Sequence, residues 1–171
     1  LESRSTPAKM IGDDWLSIER AGMVSIGLKK DGTLWQWGCI EYVTDTQFEP
    51  CNYSPEPVQV GTDNDWVIVH ADYWVRAALK NDGTLWAWGS IDSENNVAPG
   101  PPVQIGEGWR DFDLAGGNNP DYTTYLAIND DGSLWSWGYN SHGLLGLDEP
   151  DGVFRSLPEK IGVDTDWSKI F

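Results

Sequence analysis

Lys30-Asp-Gly-Thr-Leu-Trp-Gln-Trp-Gly38 decides the fold, because the chain writes it three times. It returns as Asn81-Asp-Gly-Thr-Leu-Trp-Ala-Trp-Gly89 and as Asp130-Asp-Gly-Ser-Leu-Trp-Ser-Trp-Gly138, with Asp-Gly pairs 51 and then 49 residues apart. A period near 50 residues marks a repeat architecture. The Asp-Gly step predicts a three-residue hairpin with glycine in the left-handed region, where a Cβ is penalised. After the turn, Leu-Trp-x-Trp-Gly reads as a strand with both tryptophans on one face: Trp35 with Trp37, Trp86 with Trp88, Trp135 with Trp137. Such rings each remove on the order of 150–250 Å² from water, enough to hold one sheet against the next.

Before the turn runs a short apolar strand: Ile26-Gly-Leu28, Ala77-Ala-Leu79 and Leu126-Ala-Ile128. Its middle residue is always small (Gly27, Ala78, Ala127), which predicts a close approach by a neighbouring sheet or backbone. Two further strands complete each unit. One opens at a lone tryptophan, at Trp15, Trp66 and Trp109. The other is led by proline, as in Pro57-Val-Gln-Val-Gly and Pro102-Val-Gln-Ile-Gly, and suits an outer edge, where proline's missing N–H costs nothing. Four short strands per unit is the propeller-blade pattern. The expected fold is therefore all-β: a partial β-propeller of about three four-stranded antiparallel blades, near residues 12–61, 62–106 and 107–162. Stub strands are expected at 7–11 and 167–171.

Leu-Lys-x-Asp-Gly-Thr-Leu-Trp-x-Trp-Gly resembles the core of the regulator of chromosome condensation repeat family. So does the third copy's continuation, Trp137-Gly-Tyr-Asn-Ser-His-Gly-Leu-Leu-Gly146. The resemblance runs over essentially residues 7–171 and implies a propeller that carries seven blades when complete. The first two copies depart from the family by replacing the Asn-x-x-Gly-x-Leu-Gly continuation with loops at 39–55 and 90–100. Three blades do not obviously close a ring, and they leave the flat faces of both end blades bare. Either the chain is part of a longer propeller, or copies associate, for example two chains as a homo-oligomer completing a six-bladed ring. The start at Leu1 fits a removed leader or a piece of something longer.

Composition narrows the function. Eleven tryptophans and nineteen glycines against two methionines and four phenylalanines suit packed antiparallel sheets. A formal charge of −16 repels phosphate backbones, so nucleic acid is not an expected partner. No apolar run approaches the roughly eighteen residues of a membrane span. Cys39 and Cys51 flank one polar loop; a disulfide there points to an extracellular or periplasmic protein, and two free thiols would point to the cytosol.

Little in the sequence reads as catalytic. His70 falls in a strand and His142 in a loop, neither with a visible nucleophile, and no phosphate loop or metal-ligand spacing appears. Asp63-Asn-Asp65 and Asp164-Thr-Asp166 read as Asx turns, without the glycine and distal glutamate of a calcium loop. No cofactor, metal or enzyme activity is expected. What remains is binding through the loops that differ between copies. They carry Tyr42, Phe48 and Tyr53, then Asn118 and Tyr122, then Tyr139 and His142. Exposed aromatics among small polar residues suit a protein partner. They also suit a glycan, which makes a lectin-like propeller the alternative. Tyr73 and Trp74, at an inner hairpin, read equally as surface or core. Nucleotide exchange on a small GTPase, an activity known in the family, is not carried over, because its loops have no match here.

Overall fold

The computed structural model describes residues 12–42, 51–89, 100–116 and 122–171. Twelve strands among them make three four-stranded antiparallel meanders. Blade 1 is β1 (Trp15–Ala21), β2 (Val24–Lys29), β3 (Leu34–Tyr42) and β4 (Cys51–Gln59). Blade 2 is β5 (Trp66–Ala71), β6 (Val75–Lys80), β7 (Leu85–Gly89) and β8 (Val103–Gly106). Blade 3 is β9 (Trp109–Ala115), β10 (Thr124–Asn129), β11 (Leu134–Tyr139) and β12 (Phe154–Ile161). The all-β, three-blade reading of the repeat is what the structure has.

Each hairpin is built as its sequence requires. Lys29 N donates to Thr33 O (3.0 Å) and Gly32 N to Lys29 O (3.0 Å), leaving three residues in the loop, with Gly32 at φ 80°. The same pair of bonds recurs at Lys80/Thr84 and Asn129/Ser133. The aspartate and the hydroxyl residue of the motif form a relay. Thr33 donates its N–H (3.0 Å) and its hydroxyl (2.6 Å) to Asp31 Oδ1, and that hydroxyl accepts the Trp35 indole N–H (2.8 Å). Asp82–Thr84–Trp86 and Asp131–Ser133–Trp135 repeat it. Asp-Gly-Thr/Ser-Leu-Trp is thus one polar unit that aims a tryptophan.

The small residue of β2, β6 and β10 has a cause within the blade. Trp35 stands opposite Gly27 in the ladder, and a Cβ on Gly27 would lie 2.5 Å from the Trp15 ring. The lone tryptophan of the first strand therefore lies across the small residue and meets the tryptophans of the third: Trp15–Trp37 at 5.7 Å, Trp66–Trp86 at 6.2 Å, Trp109–Trp137 at 5.6 Å. Lys29 Nζ sits over both Trp15 and Trp35, and Lys80 Nζ over both Trp66 and Trp86.

Blades meet aromatic face to aliphatic face. Ile26, Leu28, Leu34 and Val60 of blade 1 pack on Trp66, Val69, Ala78 and Trp88 of blade 2. The other face of blade 2 (Val75, Ala77, Leu79, Leu85, Ala87) packs on Trp109, Phe112, Tyr125, Ala127 and Trp137 of blade 3. Trp88 Nε1 donates to Gln36 Oε1 across the first contact (3.2 Å). Backbone bonds add to both, from Trp66 N to Gly32 O (3.2 Å) and from Trp109 N to Gly83 O (3.1 Å). The first strand of each blade lies nearest the previous blade, β5 against β1 and β2, and β9 against β5 and β6.

Residues 7–11 lie outside the described residues. Residues 163–171 pair into no strand and run along blade 3. Arg110 donates to the Trp167 carbonyl, and Ile170 N donates to Asp111 Oδ2 (2.8 Å).

Candidate functional site

Meander topology puts every β1–β2-type turn and every β3–β4-type connection at one end of the blades. The Asp-Gly hairpins and the links between blades fall at the other end. The copy-variable loops singled out from the sequence therefore share one end of the molecule.

Blade 1 brings Tyr53 there from β4, 55% exposed, its hydroxyl donating to Met23 Sδ (3.5 Å). Tyr42 closes β3, its backbone opposite Cys51. Phe48 and Asn118 lie outside the described residues. Cys39 and Cys51 form a disulfide with Cα atoms 5.3 Å apart. Both cysteines are strand residues buried within blade 1, so the stretch read as a loop from 39 to 55 is strand at both ends. Trp74 of the β5–β6 turn packs on the disulfide, while its neighbour Tyr73 lies exposed over Gly22. One of the pair is partly buried and the other lies on the surface. The buried Arg76 donates Nη2 to Cys39 O (2.7 Å), tying blade 2 to the same spot.

Blade 3 brings two predicted residues together. Tyr122 and Tyr139 stack at 4.5 Å with planes 29° apart, and Tyr122 is 43% exposed. Asn140, fully buried, organises the loop after Tyr139. Its Oδ1 accepts from Leu145 N (3.2 Å), and its Nδ2 donates to Glu149 O (3.2 Å) and Pro150 O (3.0 Å). His142, in the left-handed region at φ 55°, is held by Asp151 Oδ1 accepting its N–H (2.7 Å), with Ser141 Oγ 2.8 Å from its Nδ1. Between blades 2 and 3 at this end, Asp72 lies against Gly116, and burial pushes its carboxyl above the ordinary value.

One cluster lies outside the residues the sequence points to. Glu19, His70 and Asp113 each stand four residues after the tryptophan that opens their blade. His70 Nδ1 lies 3.8 Å from Asp113 Oδ1 and 4.0 Å from Glu19 Oε1, with the ring edge-on to Phe112 at 5.2 Å. A count from each lone tryptophan would have found it. At the opposite end, Asp63 and Asp65 bind Lys80, at 2.7 and 3.1 Å. Among the described residues, no three His, Cys, Asp or Glu side chains converge as a metal site, and no helix is long and apolar enough to cross a membrane. The loop end thus presents ring faces, hydroxyls and carboxylates.

Meanders of this kind, packed tryptophan face to aliphatic face, define a segment of a β-propeller. Residues 131–171 match the family model "Regulator of chromosome condensation (RCC1) repeat", and the fold is that of RCC1 propellers. Human WBSCR16 is similar with a TM-score of 0.66 and 19% identity, over 93% of this chain and 43% of that one. Yeast RCC1 (Prp20), solved bound to Kap60, gives 0.68 and 18%, over 88% and 36%. Prp20p of Saccharomyces cerevisiae, described with its binding to Gsp1p and histones, gives 0.65 and 18%, over 88% and 39%. The chain spans about two-fifths of the length of these structures. No curated protein matches its sequence significantly.

These likenesses correct one expectation. The cysteine pair was read as the mark of an extracellular or periplasmic protein, but the propellers this chain resembles are cytoplasmic or nuclear. The physical reason is local. Cys39 pairs with Tyr53 and Cys51 with Tyr42 in the β3–β4 ladder, and the register shift between these pairs accompanies an approach of the two cysteine Cα atoms to 5.3 Å, within bonding reach. Proximity set by the fold says little about compartment.

Proposed function

We propose that this propeller segment is a non-catalytic protein-recognition module whose partner docks on the loop end of the blades. One observation carries the reading: the loops that differ between otherwise matching copies all emerge at that end, and the exposed Tyr53, Tyr73 and Tyr122 stand there. Tyrosine supplies large, stiff contact area with a polar tip, and such residues dominate binding energy at protein interfaces. The fold is one whose yeast representative was solved with a protein, Kap60, and described as binding Gsp1p and histones. The stacked Tyr122–Tyr139 pair favours a second reading, a platform for a sugar ring, which makes the module lectin-like.

One experiment separates the two. The chain and its Tyr122→Ala/Tyr139→Ala variant are passed over a glycan array and, in parallel, used to retain interacting proteins by cross-linking. The expected result is a silent array and a protein partner retained by wild type and by an Asp82→Asn control at the opposite end, but lost by the tyrosine variant. Glycan signal that disappears with the tyrosines would replace this reading with the lectin. A partner retained equally by all three proteins would place recognition away from the loop end.

A further inference from the structure

Both contacts between blades join the same two surfaces, and the chain presents each surface once more. The aliphatic half, formed by Ile26, Leu28, Leu34 and Val60 in blade 1, recurs in blade 3 as Leu126, Ile128, Leu134 and Ile161. The aromatic half, formed by Trp66, Val69, Ala78 and Trp88 in blade 2, recurs in blade 1 as Trp15, Ile18, Gly27 and Trp37. Among the described residues no blade covers either of these outer faces, but on blade 3 Ile128 is buried all the same and Leu126, Leu134 and Ile161 are partly buried. Ile18 is 46% exposed where its counterpart Val69 is 3% exposed.

The segment 163–171 bears on the blade 3 face. A Cβ on Gly132 would lie 2.1 Å from Thr165 O, just as one on Gly32 would lie 2.1 Å from Asn64 O. Thr165 and Asn64 each stand two residues before a tryptophan, Trp167 and Trp66, so the segment enters blade 3 as β5 enters blade 1. It is lightly held. Residues 162–169 are all exposed, and the Arg110 and Asp111 bonds given above tie it to blade 3.

We propose that copies of this chain associate head to tail, the aromatic face of blade 1 in one copy docking on the aliphatic face of blade 3 in another. Segment 163–171 holds that place until the second copy's β1 displaces it. The proposal goes beyond the loop-end reading and is independent of it. Its occupant follows from complementarity: the surface that fits blade 3 is the one blade 2 already shows to blade 1, and blade 1 carries it too. Such a contact is heterologous, and it closes a ring or propagates according to the rotation per copy.

Sedimentation velocity across a concentration series tests it, on the full chain and on a version ending at Gly162, with circular dichroism reporting the fold of each. The shortened chain is expected to form a species of about twice the 19.0 kDa of one chain, at a dissociation constant roughly tenfold below that of the full chain. Ile18→Arg and Leu126→Glu, one on each face, should each return it to monomer. Arg110→Ala, which loosens the segment without removing it, should move the full chain the same way and serves if the shortened chain fails to fold. A shortened or Arg110→Ala chain that stays monomeric would sink the proposal, as would association indifferent to Ile18→Arg. A full chain that associates as tightly as the released one would remove the role of the segment.

Discussion

Blades 1 and 2 are written with the same signature and stand in different surroundings. Blade 2 is sandwiched: Trp66 is 4% exposed and Trp88 2%. Their counterparts Trp15 and Trp37 are only half-buried, because the aromatic face of blade 1 has no blade against it among the described residues. Blade 1 instead carries the Cys39–Cys51 disulfide across its two outer strands, and blade 2 holds no cysteine. The motif builds the blade, but most of the burial comes from the neighbour. In propellers, as in other repeat arrays, stability is the sum of a modest intrinsic term and contacts with adjacent units.

The sharpest way to break this comparison is to delete equivalent rings. Trp88→Ala removes a side chain enclosed by two blades and should cost about 3–5 kcal/mol. Trp37→Ala removes the same ring from a half-open face, so part of its transfer energy was never gained. Its cost should be about half as large. Urea denaturation of both variants, compared by midpoint at constant slope, checks this. Equal losses would mean that the motif itself, and not its neighbour, carries the stability.

Next in size is the disulfide. Replacing Cys39 and Cys51 together by alanine should cost about 2–4 kcal/mol by freeing the loop in the unfolded chain. Local opening should be uneven: amide exchange should quicken in β3 and β4 well before β6 and β7, which blades 1 and 3 both cover. Uniform quickening would show that the staple is a global constraint and not a substitute for the cover of a neighbouring blade.

Gly27 supplies a smaller test. Blades 2 and 3 tolerate alanine at this position, yet Gly27→Ala puts a Cβ 2.5 Å from the Trp15 ring. The ring must shift or the strand must give, at about 1–3 kcal/mol. The converse Ala78→Gly should also destabilise, by about 1 kcal/mol, through strand entropy and lost contact. A neutral Gly27→Ala would mean that the open face of blade 1 lets Trp15 move aside, a freedom Trp66 lacks.

These cases also show how far the sequence could be read. The hairpins, the two-fold alternation around them and the outer place of the proline-bearing strands are local, set by residues within five or six positions, and were legible; that Pro57 and Pro158 lie inside β4 and β12, and do not lead them as Pro102 leads β8, was not. The cause of the small residue was not. Gly27 is small because Trp15, twelve residues earlier, folds back across it, a contact that alternation does not encode. The ends of β3 and β4 were also missed, since Cys39–Tyr42 and Cys51–Ser54 lack alternation and are held by each other. At the candidate site, that Tyr53, Tyr122 and Tyr139 share one end follows from counting strands in a meander. That Tyr122 stacks on Tyr139 does not, because it depends on how the β9–β10 loop returns beside β11. His70 between Glu19 and Asp113 is more remote still, assembled from three blades.

The smallest expected effect is the one that should not tell the two blades apart. The Asp–Thr–Trp relay sits at the hairpin end and is complete in blade 1 and in blade 2, with matching distances. Thr33→Val and Thr84→Val should therefore cost the same, about 1 kcal/mol each, the net worth of an ordinary hydrogen bond. The side-chain bond from the threonine, reinforced by its backbone N–H, holds the Asp31 and Asp82 carboxyls below the ordinary aspartate value. A carboxyl depressed in the folded state stabilises the fold above its unfolded value, and that contribution fades as pH falls through the folded value. Wild-type stability should thus decline on acidification below the ordinary aspartate range. Asp31→Asn and Asp82→Asn should each flatten that decline by the same amount, read as the melting temperature against pH. Unequal flattening would mean that the cover of a neighbouring blade reaches even the exposed hairpins, and would extend the difference between the blades from their faces to their turns.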